Sequence, residues 1–236
     1  MRVRGVLAVV AVMIGALQAA AVGDGPAVPG PDASPRRLLV VSVTAGFRHA
    51  SIGTAEPILE ELGRSTGLFH CDFLRMPSGR AQQPKAPKRG SDTSDEAWAT
   101  QEAEFKARQE EFRRADEVWQ AGLAKEFGKV FSAESLRDFD GVVFLSTTGE
   151  LPVPDLAGFL GWIKSGKAFI GFHAATDTFK SSDAYCEMIG GHFAGHPWNA
   201  SGEHAFVVHE PGHRLTAMFP HRFRWKDEIY QYDLRY

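Results

Sequence analysis

Four short, mainly apolar runs mark the chain, at residues 38–43, 69–74, 141–146 and 167–172, the first of them rich in β-branched residues. The first is nearly continuous rather than alternating, the pattern of a strand covered on both faces as in a parallel sheet, and the other three read as further strands. After the first run, Ile58, Leu59 and Leu62 recur at helical spacing, with Thr54 placed to cap that helix and Pro57 in its first turn, where a missing N–H costs little. A further helix is expected over 156–164, before the fourth run. Parallel neighbours need long crossovers and the helices supply them, so the alternation predicts a doubly wound, mostly parallel α/β sheet with helices on both faces. Two later strands are expected at 205–209 and 225–232.

The period breaks between the second and third runs. Residues 77–90 form a Pro/Lys/Arg-rich loop, and about 92–127 is a charged stretch of strong helix formers, so 77–127 reads as a loop plus helical insertion. Within it Trp98, Phe105, Phe112 and Trp119 recur every seven residues and make one aromatic stripe. Such a stripe packs on its own domain, or it docks a partner or serves as a lid.

The N-terminal residues change the picture of where the chain acts. Arg2 and Arg4, an apolar stretch from Val6 to Leu17 and the small residues Ala19, Ala20 and Ala21 have the order of a secretory signal peptide, expected over 1–21. The apolar stretch is shorter than the roughly 20 residues of a membrane span. The expectation is therefore an exported protein, periplasmic or extracellular, with no stable membrane span after cleavage. Residues 22–35 are Gly, Pro, Ala and Asp without a period and read as a linker, so the folded domain is expected over 36–236.

Composition mainly excludes. At 236 residues the chain can bury a core without staples, and a formal net charge of -3 gives no basic field to hold nucleic acid. Cys71 and Cys186 are the two cysteines; they read as small buried residues, with a bridge permitted only if the fold brings their Cα atoms within about 7 Å. Oligomeric state is not legible from these features.

In an open parallel sheet the loops at the carboxyl ends of the strands converge on one crevice. The first carries Arg48, His49 and Ser51, the third Thr147, Thr148 and Glu150, and the fourth His173, Thr176 and Asp177. A Gly-rich stretch, 190–199, adds His192, His196 and Trp198, and Asp227, Glu228 and Tyr230 follow. His173 suits a general base at neutral pH, with Asp177 four residues on to orient it; a structural or ligand-orienting role is the alternative. His49, His173 and His196, if they converge with a carboxylate, could hold a zinc-like divalent ion with an open position. Trp198 and Tyr230 suit a sugar face, or they close the core.

Four segments carry a resemblance: Gly46-Phe47-Arg48-His49, Gly171-Phe172-His173-Ala174-Ala175-Thr176-Asp177-Thr178, Gly191-His192-Phe193-Ala194-Gly195-His196-Pro197-Trp198 and Asp227-Glu228-Ile229-Tyr230. In this order they resemble the ThuA-like (trehalose utilisation) family, over most of residues 37–236 outside the insertion. The resemblance implies the flavodoxin-like fold shared with class I glutamine amidotransferases. Those enzymes hold a Cys nucleophile at the turn after the corresponding strand, where this chain has His173, so a Cys-dependent glutaminase is excluded. Family members usually continue through further strands, so the C-terminal part is expected to be truncated at Tyr236.

The resemblance implies carbohydrate catabolism, with a small carbohydrate as partner. The expected function is an enzyme acting on trehalose-type or keto-glycoside sugars, a hydrolase, lyase or isomerase. His173, Asp177 and Glu228 would supply acid-base chemistry, and Arg48, His49, Thr148, His196, Trp198, Asp227 and Tyr230 would bind substrate. No cofactor is required beyond the metal that the histidines could hold. The alternative is a non-catalytic sugar-binding or scaffolding module.

Overall fold

The apolar runs build one sheet. The computed structural model describes residues 34–233; the segment expected as leader and residues 22–33 of the linker lie outside them. Strands β1 (Arg36–Val41), β2 (Phe69–Leu74), β3 (Gly141–Leu145) and β4 (Ala168–Phe172) pair in parallel in the order β2-β1-β3-β4. Successive side chains on a strand point to opposite faces. Leu39, Val41, Val142 and Phe144 therefore enter one core, while Val40, Val143 and Leu145 enter another.

The first core is closed by Leu123 and Phe127 of helix α2 (Asp95–Val130), Leu136 of α3 (Ala133–Leu136), Phe159 of α4 (Leu156–Lys164) and Tyr185 of α5 (Asp183–Ile189). The second is closed by Ala55 and Leu59 of α1 (Ile52–Thr66). Helices thus cover both faces, and the fold is the doubly wound α/β arrangement expected from the runs, of the flavodoxin-like kind that the resemblance implied. Phe144 sits at the centre, its ring 5.2 Å from Phe169 and 5.9 Å from Phe159. Gly141 opens β3 because a Cβ there would lie 2.9 Å from that of Ala168 on the neighbouring strand.

Several boundaries differ from expectation. Helix α1 starts at Ile52 behind Ser51, so Thr54 does not cap it and Pro57 lies inside the helix rather than in the position expected of it. The run expected as one strand at 225–232 is two, β7 (Arg222–Lys226) and β8 (Ile229–Asp233), because Asp227 and Glu228 interrupt it. The other late strand is β6 (Glu203–Val207), two residues earlier than expected. Most of the Gly-rich stretch read as a loop is a strand, β5 (His192–Trp198), paired antiparallel with β8 through two register shifts. β6 and β7 form a second antiparallel ribbon.

The insertion is one 36-residue helix, capped at Ser94 by a bond from the Ala97 amide. At about 1.5 Å per residue it is roughly 54 Å long. Leu123 and Phe127 are its buried residues, so its last third joins the core and the rest stands as an arm. Trp119 packs against the core, whereas Trp98, Phe105 and Phe112 are half-buried. The preceding loop runs back along the arm, with Arg80 bonded to Asp116 at 2.9 Å and over the Trp119 ring, and Arg89 over Trp98.

Among the described residues, no helix is long and apolar enough to cross a membrane. Cys71 and Cys186 are free thiols, one on β2 against α1 and one in α5, so the permitted bridge is not formed. Burial, with Glu60 and Asp72 nearby, pushes the Cys71 thiol up to about 11.

Candidate functional site

β4 runs directly into a single 3₁₀ turn, His173–Asp177, and at that junction His173 has φ 49. The left-handed region costs a non-glycine residue roughly 1–2 kcal/mol, so the surroundings must impose it. They do so from below: Ala174 and Ala175 are buried, and the Tyr185 hydroxyl donates to the Ala175 carbonyl at 2.9 Å. A Cβ on Gly171 would lie 3.1 Å from Ala175 Cβ and 3.2 Å from Ile189 Cδ1. The turn is therefore sharp, pinned on its buried side, and His173 is presented at its outer corner.

The loops after β1 and β3 are laced together beside it. The Ala45 amide donates to the Thr148 carbonyl at 2.8 Å, and the Thr148 hydroxyl to the Phe47 carbonyl at 2.8 Å. Arg48 Nη1 donates to the Ser42 carbonyl at 2.7 Å, and the Thr147 and Thr178 hydroxyls bond at 2.8 Å. This lacing delivers His49, whose ring lies 4.5 Å from His173 and 4.8 Å from Phe47, edge to face with each.

The ribbons supply the acid. Glu228, in the turn between β7 and β8, places Oε1 3.0 Å from His173 Nε2 and Oε2 3.1 Å from His196 Nε2. The Tyr230 hydroxyl is 3.1 Å from the same His173 nitrogen, and its ring packs on Phe193 at 4.4 Å and His196 at 5.1 Å. Asp227 accepts from the Glu228 amide at 2.9 Å, holding the turn. A carboxylate beside Nε2 favours the proton on that nitrogen, which leaves Nδ1 of His173 with the lone pair.

Burial and the neighbouring His49 lower the His173 pKa against the opposing pull of Glu228 and Asp227, favouring a neutral ring. Burial lowers His49 likewise, and its Nδ1 is buried with no hydrogen-bond partner. Tyr230 is raised by burial and by Glu228, so it stays a protonated phenol.

The fold thus brings together His49, His173, His196, Glu228 and Tyr230, with Asp227 adjacent. Arg48 and Thr148 flank them, with bonds to backbone carbonyls. Asp177 was expected to orient His173, but its carboxylate pairs with Lys180 at 3.1 Å; the chain there is a 3₁₀ turn, which does not stack residues four apart as an α-helix does. Its charge still favours the protonated form of both His49 and Tyr230, at His49 against the larger lowering by burial. Trp198 is 58% exposed at the end of β5, its ring 5.7 Å from His204. Phe47 and Phe193, which wall the cluster, had no assigned role, although both lie inside the motifs.

The trio geometrically suited to a metal is His49, His173 and Glu228, with ligand atoms within 4.8 Å of one another, rather than the three histidines. Two ligands of one zinc-like ion lie at most about 4.2 Å apart when each bond is about 2.1 Å, so the trio would draw in slightly to close on one.

No curated protein matches the chain. A solved structure of a protein from Bacteroides uniformis, described as ThuA-like, is similar at 16% identity and a TM-score of 0.48, covering 89% of this chain and 65% of that one. The chain thus spans slightly less than two thirds of that protein. The family model described as ThuA, trehalose utilisation, matches residues 37–235, nearly all of the folded chain, and the chain belongs to that family.

Proposed function

We propose that this chain is an exported enzyme of carbohydrate catabolism that acts on trehalose-type or keto-glycoside sugars by His/carboxylate acid-base chemistry. The observation that carries the reading is the single carboxylate of Glu228 spanning His173 and His196, with His173 fixed at the strained corner after β4. His173 Nδ1 is the base, taking a proton from a sugar hydroxyl or from the carbon next to a keto group. Glu228 stabilises the resulting imidazolium as an opposite charge at contact distance. The phenol of Tyr230 is a donor for a sugar oxygen, and the rings of Phe47 and Phe193 give apolar surface for the sugar face. Arg48, Thr148, Asp177, Asp227 and Trp198 complete the proposed sugar-contacting set. The order of residues 1–21 supports export.

The buried, unpartnered Nδ1 of His49 favours a second version of the same site, in which His49, His173 and Glu228 hold a divalent ion. Two histidines and a carboxylate with open positions suit an ion that polarises a sugar carbonyl or hydroxyl.

The test is turnover of trehalose, 3-keto-trehalose and simple glucosides by the mature protein, beside His173→Ala and Glu228→Gln, with metal content measured on each. Loss of a general base lowers turnover by about 10²–10⁴-fold. Sugar binding without turnover, insensitive to His173→Ala, would establish the non-catalytic module instead.

A further inference from the structure

Away from this site, helix α2 carries a row of charges whose ion pairs, where they form, run within the helix itself. One row along the helix, at alternating four- and three-residue steps, reads Ala99, Ala103, Lys106, Glu110, Arg113, Glu117, Gln120 and Ala124. Such steps keep residues on one side of an α-helix. About the point between residues 111 and 112 the row is its own complement when reversed. Lys106 then falls opposite Glu117, Glu110 opposite Arg113, Ala103 opposite Gln120 and Ala99 opposite Ala124.

A hollow of about 590 Å³ runs beside this row, lined by Phe112 and by Gln83 of the returning loop together with the four charged side chains. The loop covers the aromatic stripe at its ends, through Arg89 over Trp98 and Arg80 over Trp119, and leaves it open in the middle at Phe112. Glu110 and Glu117 both pair with Arg113 within the helix, but these groups are exposed, so the pairs contribute little and can be exchanged for contacts across an interface.

We propose that the arm is a self-association surface, where α2 of a second copy lies antiparallel in this hollow about a twofold axis between residues 111 and 112. An isologous contact requires a surface that complements itself on reversal, which this row does. Small residues at its ends let the two helices approach. Each charge pair occurs twice in such a dimer, so each substitution acts twice.

The experiment is sedimentation velocity on the mature chain across a concentration series, with Lys106→Glu, Glu117→Lys and the double exchange. The wild-type chain should dimerise at micromolar concentration. Each single reversal should raise the dissociation constant about tenfold or more, since each sets like charges opposite one another at two places. The double exchange should restore it to near wild type. As both positions are exposed, all three variants should keep the wild-type thermal midpoint, which separates lost association from lost folding. A monomer at every concentration, a dimer indifferent to the single reversals, or a double exchange no tighter than the singles would each overturn the proposal.

Discussion

The parallel sheet and the two antiparallel ribbons meet at the candidate site, and they are built in opposite ways. All five residues of β3 are buried, whereas β6 and β7 alternate exposed and half-buried positions. The sheet end contributes the two imidazoles that stand edge to face, His49 and His173, on loops laced by backbone bonds. The ribbons contribute Glu228, His196 and Tyr230 from exposed or half-buried positions. The part of the site that must not move is anchored in the core, and the part that meets its charge is set from the side, through a turn held by Asp227.

The sharpest way to break that division is at its junction. Replacing His173 with Gly removes the imidazole and the cost of a positive φ together. Turnover should fall about 10²–10⁴-fold while the thermal midpoint rises by roughly 2–4 °C. Activity assays and a calorimetric scan on the same preparation check both; a midpoint that falls would show that the corner is held by His173 itself rather than by the packing beneath it.

Next in size is a packing contrast. Phe144→Ala empties the centre of the larger core and should cost about 3–5 kcal/mol. Phe206→Ala, which removes a half-exposed ring stacked 5.1 Å from Phe223 on the ribbons, should cost about 1 kcal/mol. Denaturant unfolding followed by intrinsic fluorescence measures both. Equal losses would mean that ribbons and sheet unfold as one tightly coupled unit.

The same division decides what could be read from the sequence. Strand β3 was the plainest to read because a segment buried on both faces has to be apolar throughout, and 141–145 is so at every position. Strand β5 was not legible, since a half-exposed strand of Gly, His and Pro carries no such run and His192–Trp198 looked like a loop for that reason; β6 and the β7–β8 stretch were expected as strands, with shifted bounds. The imidazoles at 49 and 173 could be placed at strand ends from the runs before them. That Glu228 would be their shared carboxylate depends on the reversal between β7 and β8, which local patterning reads as one strand. Asp177 shows the converse, because its spacing from His173 carried meaning only if the segment were an α-helix.

The smallest effect is the most specific to the meeting of the two parts. Above pH 6.5, the ordinary histidine value, His173 is neutral in both folded and unfolded chains. Below it the unfolded chain takes the proton first, because burial and His49 lower the folded pKa, so stability falls as pH drops through that window. The acid limb of turnover should therefore lie below 6.5. His49→Phe keeps a ring beside His173 but removes a group that repels its charge, so the limb should move up toward 6.5. Glu228→Gln removes the opposing attraction and should move it down. The pH dependence of kcat/KM for the three proteins checks the signs: a limb unmoved by either substitution would mean that burial alone sets the His173 pKa, and that ribbon and sheet do not meet electrostatically at this site.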